Sequence, residues 1–226
     1  MLQNNLDARF ACLAILGLFL VSVPLCAQSS DALMAYRNGQ FQQAIDITQK
    51  ELAGDPNNLD SYAVQCWSLN SLKRFAEAVQ IAQKGRQISA TDHRLVEILA
   101  EANFSLHNDI SALSYYQQYI TLATAHEVES RYIRDAYRDM AEIFVHFTEY
   151  HHADIALVAA IQLDKGKSAN DPTHAARLWG RLGFVREQAG DLVAASIAYD
   201  KALAIDPANP ESMAGHERIK AVKPGA

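Results

Sequence analysis

The chain has 226 residues, of which half are hydrophobic and 20% are charged, and its formal net charge is −6. This length suits one domain or a short repeat array, and the hydrophobic fraction argues against wholesale disorder. The negative charge argues against a general nucleic-acid binder, which would carry a basic face.

The first 27 residues have the layout of a secretory signal peptide. A short segment ending at Arg9 precedes an uncharged apolar stretch that begins at Phe10, and the small residue Ala27 follows it. The apolar core of about 14 residues is shorter than the ~20 that span a bilayer. We therefore predict cleavage after Ala27 and export to the periplasm or cell envelope, with secretion also possible. Two alternatives remain open, an uncleaved membrane anchor and lipidation of Cys26, and either would confine membrane contact to the N-terminus.

Cysteine usage indicates how the mature chain is stabilised. Cys12 and Cys26 lie in the predicted signal peptide, which leaves Cys66 as the single thiol of the mature chain. One thiol cannot form an internal disulfide. The fold must therefore be stabilised by packing, and we expect Cys66 to be a small buried residue.

A repeat follows, and five alanines set its period. They are separated by 34, 34, 41 and 42 residues, and they are Ala44, Ala78, Ala112, Ala153 and Ala195. A small residue stands twelve positions before each of them: Ala32, Cys66, Ala100, Ala141 and Gly183. A pair of turn-forming residues also precedes each alanine: Gly39-Gln40, Lys73-Arg74, His107-Asn108, Thr148-Glu149 and Gly190-Asp191. Asp55-Pro56 and Asp206-Pro207 close the first and last units, because proline ends a helix.

This pattern resembles the tetratricopeptide repeat, a 34-residue antiparallel helix pair. The last unit carries most of the family's residues: Trp179, Leu182, Gly183, Gly190, Ala195, Tyr199, Ala202 and Pro207. The resemblance covers residues 29–209, although Asp109 replaces the usual aromatic of the third unit and the middle units lack the closing proline. It implies an all-α fold, an α-solenoid of about five antiparallel helix pairs plus a C-terminal capping helix.

The spacing predicts units at about 28–58, 59–92, 93–126, 127–167 and 173–209, a capping helix at 210–221 and a tail at 222–226. Within the units we predict helices at 30–38, 41–53, 59–71, 75–88, 93–106, 109–122, 127–147, 150–163, 173–189 and 192–204. We expect the seven extra residues between units three and four to extend the first helix of unit four. Residues 165–172 should form a loop.

The resemblance also implies a site. In this family the first helix of each unit lines a concave surface that binds a protein or peptide. The candidate residues of that surface are Asp60, Trp67, Asn70, Arg94, Glu97, Glu101, Phe104, Arg138, Glu142, Arg177 and Phe184. Trp67, Phe104 and Phe184 are the candidate anchors, since aromatic side chains bury a large area with few rotatable bonds. The alternative is that each of them packs sideways against the next unit.

The family's clamp for terminal carboxylates is not reproduced, because Ala63, Glu97, Arg138 and Gly180 occupy the matching positions. No nucleophile motif stands out, so we expect no enzymatic activity and no cofactor. Glu142 and His146 lie one helical turn apart, but no second pair supports a metal site. The leading hypothesis is an exported scaffold that binds a protein or peptide partner. The alternatives are a structural subunit of an envelope assembly or homo-oligomer and, less favoured, a carrier of a small ligand or metal.

Overall fold

The computed structural model describes residues 26–164 and 172–222, and these contain eleven α-helices and no strand. The signal peptide and the loop at 165–172 were predicted for segments that lie almost wholly outside the described residues. The helices are α1 (Cys26–Arg37), α2 (Phe41–Gly54), α3 (Leu59–Ser71), α4 (Phe75–Ile88), α5 (His93–Ser105), α6 (Asp109–Ala125), α7 (Ser130–His146), α8 (Tyr150–Asp164), α9 (Pro172–Gln188), α10 (Leu192–Ile205) and α11 (Pro210–Val222).

Consecutive helices pack against each other as five pairs, from α1–α2 to α9–α10, and α11 packs on the last pair. The first helices of neighbouring pairs also pack side by side, α1 with α3 and α3 with α5, as does α9 with α11. The predicted fold class, an all-α solenoid of helix pairs with a C-terminal capping helix, is confirmed.

A left-handed residue ends the first helix of every pair. This residue is Gly39, Lys73, His107, Thr148 or Gly190, with φ between 58° and 85°. The next residue then donates its backbone N–H to the carbonyl five positions back, for example from Gln40 to Ala35 at 2.9 Å and from Arg74 to Leu69 at 2.8 Å. This Schellman-type closure satisfies helix carbonyls and turns the chain sharply enough for the second helix to fold back.

Short polar side chains begin several helices. Asn58 accepts a hydrogen bond from the Ser61 backbone N–H at 3.1 Å, and Asp191 accepts one from Ala194 at 2.9 Å. Such caps satisfy amide groups that have no partner inside the helix. They set the first residues of α3 and α10.

The predicted repeat positions form the core. The five alanines that define the period are all 0% exposed, and so is Cys66. The Cys66 thiol donates to the carbonyl of Ala78 at 3.6 Å, and burial raises its pKa. Small residues recur at these positions because helix separation is set by the side chains at the contact. Cys66 is therefore a packing residue, as expected.

The structure divides the insertion between units three and four, which was predicted to extend only the first helix of unit four. Helix α6 has 17 residues against 14 in α4, and α7 has 17 against 13 in α5. Glu127 takes a left-handed conformation (φ 53°), and Val128 donates to the carbonyl of Ala123 at 3.0 Å. This closure ends α6, so α7 starts at Ser130 and not at 127.

None of the helices in these two described segments is long and apolar enough to cross a membrane.

Candidate binding groove

An open cavity of about 660 Å³ lies against the first helices of the first four pairs. We call this cavity the groove. Its apolar and aromatic lining comes from α1, α3, α6, α7 and the turn before α7: Leu33, Tyr36, Val64, Trp67, Tyr119, Val128 and Tyr132. Its charged lining comes mainly from α3 and α5: Asp60, Arg94, Glu97 and Glu101, with Arg37 of α1. Because the first helices of four successive units contribute, the groove crosses several repeat units.

Two aromatic side chains meet at the α1–α3 end of the groove. The rings of Tyr36 and Trp67 have centroids 5.8 Å apart. Trp67 is half-buried and packs on the core clusters of units one and two, so one part of the indole is structural and another faces the groove. At the opposite end Tyr132 is 42% exposed, with the guanidinium of Arg131 at 4.7 Å from its ring centroid.

One arginine in the groove is neutralised within the chain. Arg94 binds Asp60 and Asp92, each at 2.7 Å. The Asp60 contact spans one repeat, so it ties α3 to α5. By contrast, among the described residues Glu97 and Glu101 have no ion pair within 4 Å, and Asn70 donates one long hydrogen bond of 3.4 Å to Glu101.

The carboxyl groups of Glu97 and Glu101 are held in a poorly solvated setting. The surrounding protein and the neighbouring Glu101 raise the pKa of Glu97 to about 8. The pKa of Glu101 is raised to about 7, first by the flanking protein and then by Asp139. The Glu101 side chain is accessible to solvent from the groove, yet protein surrounds it on its other sides. Both shifts have the direction expected where the surrounding protein disfavours the ionised form, an effect that Arg138 offsets only in part at Glu101.

A second cavity of about 100 Å³ adjoins the groove between α5, α6 and α7, and we call it the acidic chamber. It shares Glu97, Glu101, Tyr119 and Tyr132 with the groove, and Tyr116, Asp135, Ala136, Arg138 and Asp139 complete its wall. Within it Arg138 binds Asp139 at 2.8 Å and Asp135 at 3.4 Å. Tyr116 donates its hydroxyl to Asp139 at 2.9 Å.

A third cavity of about 270 Å³ lies between α7, α9 and α11. Arg181 crosses it, binding Glu142 at 2.6 Å and Glu211 at 3.3 Å. These contacts join three helices, so much of the charge lining this cavity is used to hold the units together.

The structure brings five of the predicted groove residues together in the groove: Asp60, Trp67, Arg94, Glu97 and Glu101. Asn70 reaches the groove through Glu101, Arg138 lies in the acidic chamber, and Glu142 and Arg177 line the third cavity.

Phe104 and Phe184 lie outside all three cavities. Phe104 packs edge-on against Tyr116, with ring centroids 6.4 Å apart, and Phe184 packs beneath the guanidinium of Arg181 at 4.6 Å. Both pack against core clusters, and the two contacts just described lie within their own units, so packing against the next unit stays a prediction.

Sequence reasoning missed Leu33, Tyr36, Tyr119 and Tyr132. Two of these could have been found from the repeat spacing. Leu33 lies 34 residues before Trp67, and Tyr36 lies 34 residues before Asn70. Tyr119 lies on a second helix and Tyr132 on the lengthened start of α7, where the repeat register gives no guide.

Glu142 and His146, which lie one helical turn apart and were considered as a metal pair, each bind a different side chain. Glu142 binds Arg181, while Nδ1 of His146 lies 2.5 Å from Oδ2 of Asp109. In the portion of the chain that the structure covers, no group of three or more histidine, cysteine, aspartate or glutamate side chains is arranged to hold a metal ion.

No protein-family profile and no curated protein matches the sequence. Solved structures do match the fold. A MamA protein has 21% identity and a TM-score of 0.66, with 81% of this chain and 92% of that chain covered. YrrB, described as a TPR protein with an unusual peptide-binding site, has 17% identity and a TM-score of 0.66, with 84% and 90% covered. MamA from Desulfovibrio magneticus RS-1 has 14% identity and a TM-score of 0.66, with 82% and 97% covered. The chain therefore has the fold of tetratricopeptide-repeat proteins.

Proposed function

We propose that this chain is an exported scaffold that binds an extended segment of a partner protein in the groove. The observation that carries the proposal is the groove itself, which is open and is lined by the first helices of four successive units. Tyr36, Trp67 and Tyr132 offer the rigid aromatic surface that is enriched at interface hot spots.

Two further facts support the proposal. Glu97 and Glu101, which form no ion pair with any described residue, supply polar groups that can fix the register of a bound segment. The neighbour YrrB, which has the same fold, is described as having a peptide-binding site.

A photo-cross-linking amino acid placed at Tyr132 tests the proposal in intact cells. Tyr132 is partly exposed and lines the groove, so its replacement should leave the fold intact. We expect a cross-linked partner from position 132 that disappears in the Trp67→Leu background. The matched control is position 110, because Ile110 is 79% exposed and does not line the groove. Absence of a product at position 132 contradicts groove binding.

A structural subunit is the second candidate function. Large apolar residues are exposed on second helices, with Ile110 at 79%, Val193 at 63% and Ile155 at 55%. Contact between these helices and another subunit would bury such residues. Cross-links that form from position 110 and not from position 132 would favour this alternative.

Export is a separate part of the proposal and rests on the layout of residues 1–27. Intact-mass measurement of the protein from its native host tests it. We expect a mature chain that begins at Gln28, whereas an unprocessed chain indicates an anchor and an added lipid mass on Cys26 indicates a lipoprotein.

A further inference from the structure

We propose that the acidic chamber receives a basic side chain, arginine or lysine, from the segment bound in the groove. The inference rests on the proposed function and specifies the chemistry of the partner, a segment with a basic residue at the position facing α5 and α7.

Acidic side chains predominate in the chamber. Four of them line it, Glu97, Glu101, Asp135 and Asp139, against the single guanidinium of Arg138. Because the pKa of Glu97 is raised to about 8 and that of Glu101 to about 7, an arriving cation would favour the ionised form of both glutamates. Arg138 forms its ion pairs with the two aspartates and none with either glutamate, and its charge offsets only part of the rise in the pKa of Glu101. A second cation is therefore electrostatically complementary to the chamber, whereas an acidic side chain would be repelled.

The hydroxyl of Tyr119 is a second polar group at the chamber. Tyr119 is 1% exposed, and its hydroxyl lies near enough to Glu97 for each group to shift the pKa of the other, yet it makes no hydrogen bond of normal geometry to any described residue. Buried polar groups are nearly always paired. A phenolic oxygen accepts hydrogen bonds from ammonium and guanidinium groups. Tyr119 lines both cavities, so a basic side chain that enters the chamber from the groove could supply a partner for its hydroxyl.

The chamber also has the size of a side-chain head group. The chamber, at about 100 Å³, is small beside the groove of about 660 Å³, so it suits the head group of one side chain and not a length of backbone. The two cavities share Glu97, Glu101, Tyr119 and Tyr132, so the chamber opens directly from the groove. Tyr132 supplies an aromatic wall at this opening, and aromatic rings attract cations.

The chamber lies where the repeat is lengthened. Helix α6 packs on both α5 and α7, and residues of all three helices line the chamber. Its α7 wall belongs to the unit that follows the insertion.

Selection of phage-displayed random 12-residue peptides on the purified full chain tests the inference. Each enriched peptide is synthesised together with a form in which its basic residue is replaced by glutamine, and Kd is measured by fluorescence anisotropy. The protein variants are Glu101→Gln, whose side chain is solvent-accessible, and Tyr119→Phe, which removes one hydroxyl. Glu217→Gln on α11 is the matched control, because it removes the same charge away from the groove.

We expect enriched peptides to contain arginine or lysine, and the glutamine forms to bind the wild type about tenfold more weakly or worse, as for a charge-assisted hydrogen bond. That difference should largely vanish in Glu101→Gln and persist in Glu217→Gln. Peptides that lack basic residues, or whose basic residue is insensitive to Glu101→Gln, overturn the inference. If Trp67→Leu still weakens the binding of those peptides, the proposal of groove binding stands, since Trp67 lines the groove and not the chamber. Failure to enrich any peptide sensitive to Trp67→Leu overturns the proposed function itself.

Discussion

At the residue scale, two glycines enclose one tyrosine ring in the last unit. Tyr199 is 0% exposed, and its hydroxyl donates to Glu187 at 2.7 Å. A Cβ atom added to Gly183 would lie 2.5 Å from the ring, and one added to Gly215 would lie 2.2 Å from it. Because a buried ring has no space to move, both positions require glycine.

We predict that Gly215→Ala lowers the free energy of unfolding by about 1–3 kcal/mol, the usual penalty of overpacking. Thermal melting followed by circular dichroism measures the effect. The matched control is Gly54→Ala at the end of α2, where no atom lies within 4 Å of the added carbon. Equal melting temperatures for the Gly215 variant and the wild type would show that the ring is not confined.

The raised pKa of Glu97, a residue of the groove, makes the stability of the fold depend on pH. Its pKa is raised to about 8 by the surrounding protein and by Glu101, against about 4.3 in an unfolded chain. Between these values the folded protein holds a proton that the unfolded chain has lost, so this residue lowers stability as pH rises through that window.

We therefore predict that Glu97→Gln raises the melting temperature by about 2–4 °C at pH 8.5, the shift produced by about 1 kcal/mol in a domain of this size. At pH 4 both proteins carry a neutral side chain there, so the difference should disappear. Glu217→Gln should give no gain at pH 8.5, because Lys220 lowers the pKa of Glu217. A gain that is the same at both pH values contradicts the titration of Glu97.

At the element scale, the turns inside the helix pairs are alike in shape and unlike in residue. Gly39 and Gly190 suit a positive φ, whereas Thr148 holds φ at 59° with a β-branched side chain. Such a conformation is strained for residues other than glycine. The turn is imposed by the packing of α7 on α8, and the threonine tolerates it.

Thr148→Gly should therefore stabilise the protein by about 0.5–1 kcal/mol, the relief of strain less the greater backbone entropy of glycine. Urea unfolding gives the value directly. Gly190→Ala is the reciprocal control, since no atom lies near its added carbon and only backbone strain is introduced. We expect it to destabilise by about 1 kcal/mol. Effects of the opposite sign would mean that packing, and not φ, governs these turns.

The helices were predictable because their signals are local. Turn pairs and helix caps each act within a few positions of the chain, and small core residues recur at a fixed spacing. The observed helix starts at Phe41, Leu59, Phe75 and His93 agree with the predicted residues. The start of α7 was not predictable, because the closure at Glu127 depends on how far α6 continues to bury Ala123.

The site was predictable only where the 34-residue register holds. Asp60, Trp67, Arg94, Glu97 and Glu101 follow that register and line the groove. Tyr119 reaches the site from a second helix, α6, and Tyr132 from the lengthened start of α7, and both placements depend on the packing of α5, α6 and α7. Phe104 and Phe184 show the converse, because register alone does not decide whether an aromatic faces solvent or a neighbouring unit.

At the scale of the whole molecule, contacts between units decide the shape of the binding surface. Ion pairs link one unit to the next, as in Asp60–Arg94 at 2.7 Å and Asp154–Arg186 at 2.6 Å. In such an array each unit is stabilised mainly by its neighbours. A segment lying across four first helices would therefore stabilise several units together, because it binds only the folded array.

Amide hydrogen exchange with and without a peptide from the phage selection tests the central claim, that the first helices form the binding surface. We expect slower exchange in α1, α3, α5 and α7 when the peptide is bound, with little change in α8 and α10. Protection confined to α6, α8 and α10, or none in α3 and α5, would contradict it.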